Sequence, residues 1–161
     1  MSRHITFALA SALVTLFALA TVGRGQSVSS DHEMLTDGSA VKWKPSTGLP
    51  PGASSTLVSG DPAKSGREFI VRLKLPDGYR IAPHWHPNDE HITVLAGTCM
   101  MGMGTEFDER TLMPLRAGGY MRMPAKSPHF ILAKGETIVQ LHGIGPFTTT
   151  FVNAAGEALK E

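Results

Sequence analysis

Residues 78–97, GYRIAPHWHPNDEHITVLAG, constrain this chain more than any other stretch, because they set two histidines one residue apart and a glutamate four further on. In a β-strand, side chains at i and i+2 leave the same face, so His84 and His86 can point into a common cavity while Trp85 points the other way. Pro87, Asn88 and Asp89 turn the chain. Glu90 opens the next apolar strand, and a strand folded back beside the first can bring its carboxylate to the two imidazoles. Three such side chains can converge on one metal ion. Imidazole and carboxylate donors suit divalent manganese, iron, cobalt, nickel and zinc.

The surrounding sequence reads as many short strands. Glu68–Leu75 alternates, with Phe69, Val71, Leu73 and Leu75 on one face and Ile70, Arg72 and Lys74 on the other. Short strands are expected at 41–43 and 56–59, around a Pro- and Gly-rich loop at 46–55. Further strands fall at 90–96 and 98–101, separated by a turn at Gly97, and at 112–115 and 120–123. Two more, 130–133 and 137–142, flank a turn at 134–136, and 147–152 forms the last. A helical turn is expected from Asn153 onward. With no long helix in the pattern, the fold class is all-β, a sandwich or barrel of the jelly-roll kind.

The spacing in the first stretch also resembles a family motif. Gly78, five residues, His84, one, His86, three, Glu90, six and Gly97 match the first signature motif of the cupins throughout. The second motif follows in part: Gly118, five residues and Pro124, then His129 where the family has its third histidine, with Lys126 in place of the usual glycine and Ala133 in place of a frequent asparagine. The resemblance implies a cupin-type jelly-roll β-barrel and a metal held inside it, near an open end, by His84, His86, Glu90 and His129. It also implies iron-dependent dioxygenase chemistry, common among small cupins, and a homodimer through an edge strand. The alternative at the same residues is a degenerate site whose histidines only hydrogen-bond.

At 161 residues the chain suits one domain with a sizeable core. Fifteen Lys plus Arg against 14 Asp plus Glu give a net charge of +1, and no basic run is long enough to track a phosphate backbone, which argues against nucleic acid as a partner. Residues 1–25 read as an export signal: Arg3 is the positive end, 5–22 carry no charge, and Ala18, Ala20, Gly23 and Gly25 offer cleavage sites. Left uncut, the run could instead serve as a membrane anchor. Cleavage gives a periplasmic or extracellular protein with no further membrane contact. Residues 26–40 then form a flexible arm, 41–153 the barrel and 154–161 a C-terminal tail. Cys99 is the only cysteine, so no intrachain disulfide can form, and a buried inert thiol is its expected state.

The expected function is a metal-dependent enzyme on a small organic molecule, an oxidoreductase of dioxygenase type. A lyase, isomerase or hydrolase using one divalent ion (Fe, Mn, Ni, Co or Zn) as Lewis acid is the alternative, and a non-catalytic ligand- or metal-binding module the rival from another class. Two features stay open at this level. Met100, Met101, Met103, Met113, Met121 and Met123 either shape a substrate pocket or fill the core. Gln140 and His142 share one strand face and Val139 and Leu141 the other, and either pair can be the inner one. His91 should lie outside the metal site, opposite Glu90. Gly143 and Gly145 read as a plain turn and not a phosphate loop.

Overall fold

Two long antiparallel strands, β5 (Glu90–Met103) and β8 (His129–Ile144), run side by side along their full length. In β5 the buried set is Glu90, Ile92 and Val94 in the first half but Cys99 and Met101 in the second. The phase changes from even to odd because the ladder is irregular between Val94 and Thr98, where Gly97 sits at φ 73. An extra residue at that point re-aims every inward side chain after it. Glycine is required there on two grounds. Its backbone is left-handed, and a Cβ would stand 2.3 Å from the Glu136 carbonyl oxygen and 2.7 Å from Thr137 Oγ1. The turns expected at Gly97 and at 134–136 are therefore bends inside continuous strands, because hydrogen bonding resumes on both sides, Ala96 opposite Ile138 and Thr98 opposite Lys134.

The computed structural model describes residues 37–38 and 41–159. The expected export signal, most of the arm and the last two residues of the tail lie outside the described residues. Seven further strands complete the two sides of the bent ladder. β3 (Glu68–Leu75) pairs with the second half of β8 and with β2 (Ser54–Gly60), which pairs in turn with β1 (Lys44–Pro45). β4 (Arg80–Trp85) pairs with the first half of β8 and with β9 (Thr150–Phe151). On the other edge, β6 (Met113–Arg116) pairs with the second half of β5 and β7 (Tyr120–Met123) with its start. The bend thus gives each half of β5 and β8 its own set of partners, the two-layer arrangement of an all-β jelly roll.

The core lies between the layers and draws on both. Leu75, Ile81, Ile92, Val94, Cys99, Met101, Met123, Ile131 and Val139 are buried in one cluster. Each large apolar side chain there contributes about 1.5–3 kcal/mol relative to exposure. Burial also pushes the Cys99 thiol up to about 12, so it stays protonated and inert. Met101 and Met123 belong to this core, whereas Met103 and Met113 are exposed, so the methionines do not form a common pocket. Two local expectations are corrected. The first strand forms at Lys44–Pro45 instead of 41–43, set by pairing with Ser54 and Ser55. The helical turn from Asn153 is replaced by a side-chain-closed turn: the Glu157 amide donates to Asn153 Oδ1, Asn153 Nδ2 donates to Glu157 Oε2, and Gly156 at φ 82 reverses the chain.

Candidate metal centre

Strict alternation along β4 would put Ile81 and His84 on opposite faces, yet both are buried and both line one cavity. A register irregularity between Ile81 and His84 accounts for this, at a point where Pro83 has no amide hydrogen to give to a ladder. The bulge leaves His84 directly opposite His129, the first residue of β8, and His86 follows one residue beyond the strand on the same inward face. His84, His86 and His129 are 3%, 4% and 0% exposed. One ring nitrogen from each lies within 4.8 Å of the other two.

Each ring is fixed from behind by a backbone carbonyl. The Nδ1 atoms lie 2.7 Å from the Ala82 oxygen for His84, 2.8 Å from the Thr148 oxygen for His86 and 3.0 Å from the Ser127 oxygen for His129. A carbonyl only accepts, so each Nδ1 carries a proton and Nε2 is the ring atom left to face a metal. Burial, reinforced by the neighbouring histidines, holds His84 well below the ordinary imidazole range. Burial also lowers His86, with Glu90 and the Thr148 carbonyl partly opposing it.

Glu90, 2% exposed, stands beside the trio. Its Oε1 is 3.6 Å from His86 Nε2 and its Oε2 is 3.3 Å from His129 Nε2. His86 Nε2, His129 Nε2 and Glu90 Oε2 are nonetheless buried without hydrogen-bond partners. Lone pairs aimed at one another from three buried atoms are unfavourable unless a cation lies among them. The donor set therefore fits a divalent ion on this chain's own geometry, independently of the motif spacing.

The outer support comes from the loop before β8. Asp89 Oδ2 accepts from Arg122 Nε and Nη2 at 2.9 and 2.6 Å, and its Oδ1 accepts from the Ala125 amide at 2.8 Å. The Lys126 amide donates to the His86 carbonyl at 2.8 Å. Lys126 is at φ 59, the one described residue other than glycine with positive φ, and it occupies the place where the second cupin motif carries glycine. The loop keeps the left-handed geometry without it, at a strain of about 1–2 kcal/mol.

A cavity of about 690 Å³ opens onto His84, His86 and Glu90. Its walls include Phe69, Val71 and Leu73 of β3, Val139 and Leu141 of β8, and Phe147 and Phe151 near the C-terminus. Val139 and Leu141 thus form the inner pair. Gln140 and His142 face outward, where Gln140 accepts from Arg72 Nε at 3.0 Å and His142 stacks on His91 at 4.8 Å. Sequence reasoning did not single out Phe147, which stacks on the His86 ring at 4.2 Å and 19°, or Thr148, whose carbonyl anchors that ring. Neither carries a local signal beyond membership of an apolar, threonine-rich segment.

A curled antiparallel barrel with inward histidines at one end of an apolar cavity defines a recognisable class. The chain has the cupin fold. It superposes on a candidate acetylacetone dioxygenase from Methylibium petroleiphilum PM1 with a TM-score of 0.60 and 21% identity, covering 80% of this chain and 86% of that one. KdgF from a Halomonas species gives 0.54 at 18% identity over 70% of this chain and 94% of that one. Salicylate 1,2-dioxygenase from Pseudoaminobacter salicylatoxidans, solved with gentisate, gives 0.51 at 15% identity, with 62% of this chain matching only 29% of that enzyme. No family model and no curated protein sequence matches the chain.

Proposed function

We propose that this protein is a metal-dependent oxidoreductase of dioxygenase type that acts on a small organic molecule. The observation that carries the reading is the trio of carbonyl-anchored histidines, with one ring nitrogen of each within 4.8 Å of the other two and the unpartnered Glu90 Oε2 beside them, at an apolar cavity. His84, His86 and His129 would hold the ion, with Glu90 as a fourth donor. Iron(II) held there would supply redox chemistry toward dioxygen and polarise a chelating substrate oxygen. A dioxygenase places both oxygen atoms in its product, so no external reductant is needed. Two of the structurally similar proteins are described as dioxygenases, which supports this choice among metal chemistries.

The chain's own groups have definite tasks in this reading. The three backbone carbonyls orient the imidazoles by accepting from Nδ1, while burial favours the neutral form of His84 and His86. Glu90 Oε2 can accept the proton that a chelating hydroxyl or enol gives up on binding. Phe147 and Phe151, in ring contact with His86 and His84, exclude water from the reacting end. We also take residues 1–25 as a cleaved export signal and the mature protein as periplasmic or extracellular, on the strength of Arg3 and the charge-free run after it.

Elemental analysis of the protein recovered after export, beside a His84→Ala, His86→Ala double variant, tests both parts. Near-stoichiometric iron in the parent only, with oxygen uptake on substrate addition, is expected. Manganese, nickel or zinc without oxygen uptake would redirect the reading to Lewis-acid chemistry. Metal in neither protein, even after reloading, would remove the metalloenzyme reading. N-terminal sequencing of the same sample locates any cleavage.

A further inference from the structure

The chemistry of the cavity wall narrows what can enter it. Among the described residues that line the cavity, the titratable side chains are His84, His86 and Glu90, and none is lysine or arginine. The remaining polar side chains are serine and threonine hydroxyls. The cations of the nearest strand are turned away: on β3, Val71 and Leu73 line the cavity while Arg72 donates to Gln140 on the outer face and the Lys74 ammonium sits 5.0 Å above the Trp43 ring. A carboxylate or phosphate remote from the metal would be desolvated here against phenylalanine, valine and leucine with no counter-charge, which disfavours its binding.

The aromatic side chains run from the ligand cluster into the cavity. Phe147 stacks on the ligand ring of His86, and Phe69 continues the wall at 4.9 Å from Phe147. A volume of about 690 Å³ lies within the range for a small-molecule site and exceeds what a two- or three-carbon acid needs.

Resting on the metal-dependent reading above, we propose that the substrate is an apolar, ring-bearing molecule that is uncharged except at one chelating oxygen pair, an aromatic diol or an aryl-substituted enol-ketone. The oxygen pair meets the histidine cluster, and the ring lies along Phe147 and Phe69. Among the described residues that line the cavity, Glu90 is the one acidic side chain. Substrates that carry a second anionic group are rejected by the wall itself.

The test uses the full-length iron(II)-loaded protein under nitrogen, with iron content measured in every sample. Calorimetric affinities for tert-butylcatechol and protocatechuate, each corrected for its affinity for free iron(II), give the discrimination ratio. Both present the same diol, and only the second carries a remote carboxylate. We expect tert-butylcatechol to bind at least about tenfold more tightly, and Thr149→Lys, which adds a cation to the lining, to narrow that ratio severalfold. Iron bound with equal or reversed affinities, or with a ratio unmoved by Thr149→Lys, would overturn the substrate class alone. Failure to retain any metal would overturn the metal reading and this proposal with it.

Discussion

Glu90 and His129 stand at opposite ends of the longest ladder in the molecule, Glu90 opposite Gly143 and His129 opposite Met103, yet their side chains meet with Oε2 3.3 Å from Nε2. The ladder brings its own ends together only because it bends at Gly97. Gly97→Ala should cost about 3 kcal/mol, the sum of left-handed strain and the clash with the Glu136 backbone. Gly135→Ala is the control: its φ is the same 73°, but a Cβ there meets nothing within 4 Å, so about 1 kcal/mol is expected. Urea unfolding of both variants measures the difference, and equal losses would show that the close approach does not matter.

Replacing the Glu90 carboxylate separates stability from metal affinity. Glu90→Gln removes a charge from a site with 2% exposure, so the metal-free protein should be as stable as the parent or more so, within about 1 kcal/mol. Affinity for a divalent metal should fall by tenfold or more, since an anionic donor is lost. Thermal melts with and without metal read both quantities. A marked loss of stability in the metal-free variant would mean that the carboxylate is a structural hydrogen-bonding group.

The Asp89 clamp should act on the metal without touching it. Asp89→Ala frees both Arg122 and the Ala125 amide, loosening the loop that delivers His129, and should weaken metal binding about tenfold. Arg122→Ala leaves the Ala125 contact in place and removes only an exposed ion pair, so an effect below about threefold is expected. Competition against a chromogenic chelator ranks the two. A larger effect from Arg122→Ala would place the control in the ion pair instead of the amide contact.

Acid should destabilise the metal-free protein through its buried imidazoles. His84 and His86 are both held below the usual value of 6.5, so below pH 6.5 the unfolded chain binds protons that the folded chain refuses. Stability attributable to these groups is present above 6.5 and falls as pH drops toward the folded values. Urea midpoints from about pH 7.5 to 5 should decline, and His84→Phe should flatten the slope. A parent profile with no slope in that window would contradict the burial of neutral rings.

What the sequence made legible, and what it did not, divides along distance in the chain. His84, His86 and Glu90 lie within one short stretch, where alternation and a turn suffice to converge them. His129 has no local relation to the other three and became visible only through the second motif. Gly97 was misread in kind, because a glycine at positive φ looks the same in a turn and in a bulge inside a strand. The inner and outer pairs of β8 were undecidable by alternation, which makes both faces equivalent. The deciding fact is the cross-strand neighbour, Arg72 against Gln140. The aromatic wall escaped notice because Phe69 and Phe147 meet only after β3 and the segment before β9 are brought together.

The position of β8 in the chain also governs how the molecule comes into being. β8 holds β3, β4 and β5 together, and all three precede it in the chain. During synthesis those strands must wait, unpaired along the edges that β8 will fill, until residues 129–144 emerge. Such dependence on distant contacts predicts slow folding and an early intermediate that sticks to its own kind. A chaperone that shields the edges of β3 and β5 would therefore raise the yield of native protein without altering its final stability.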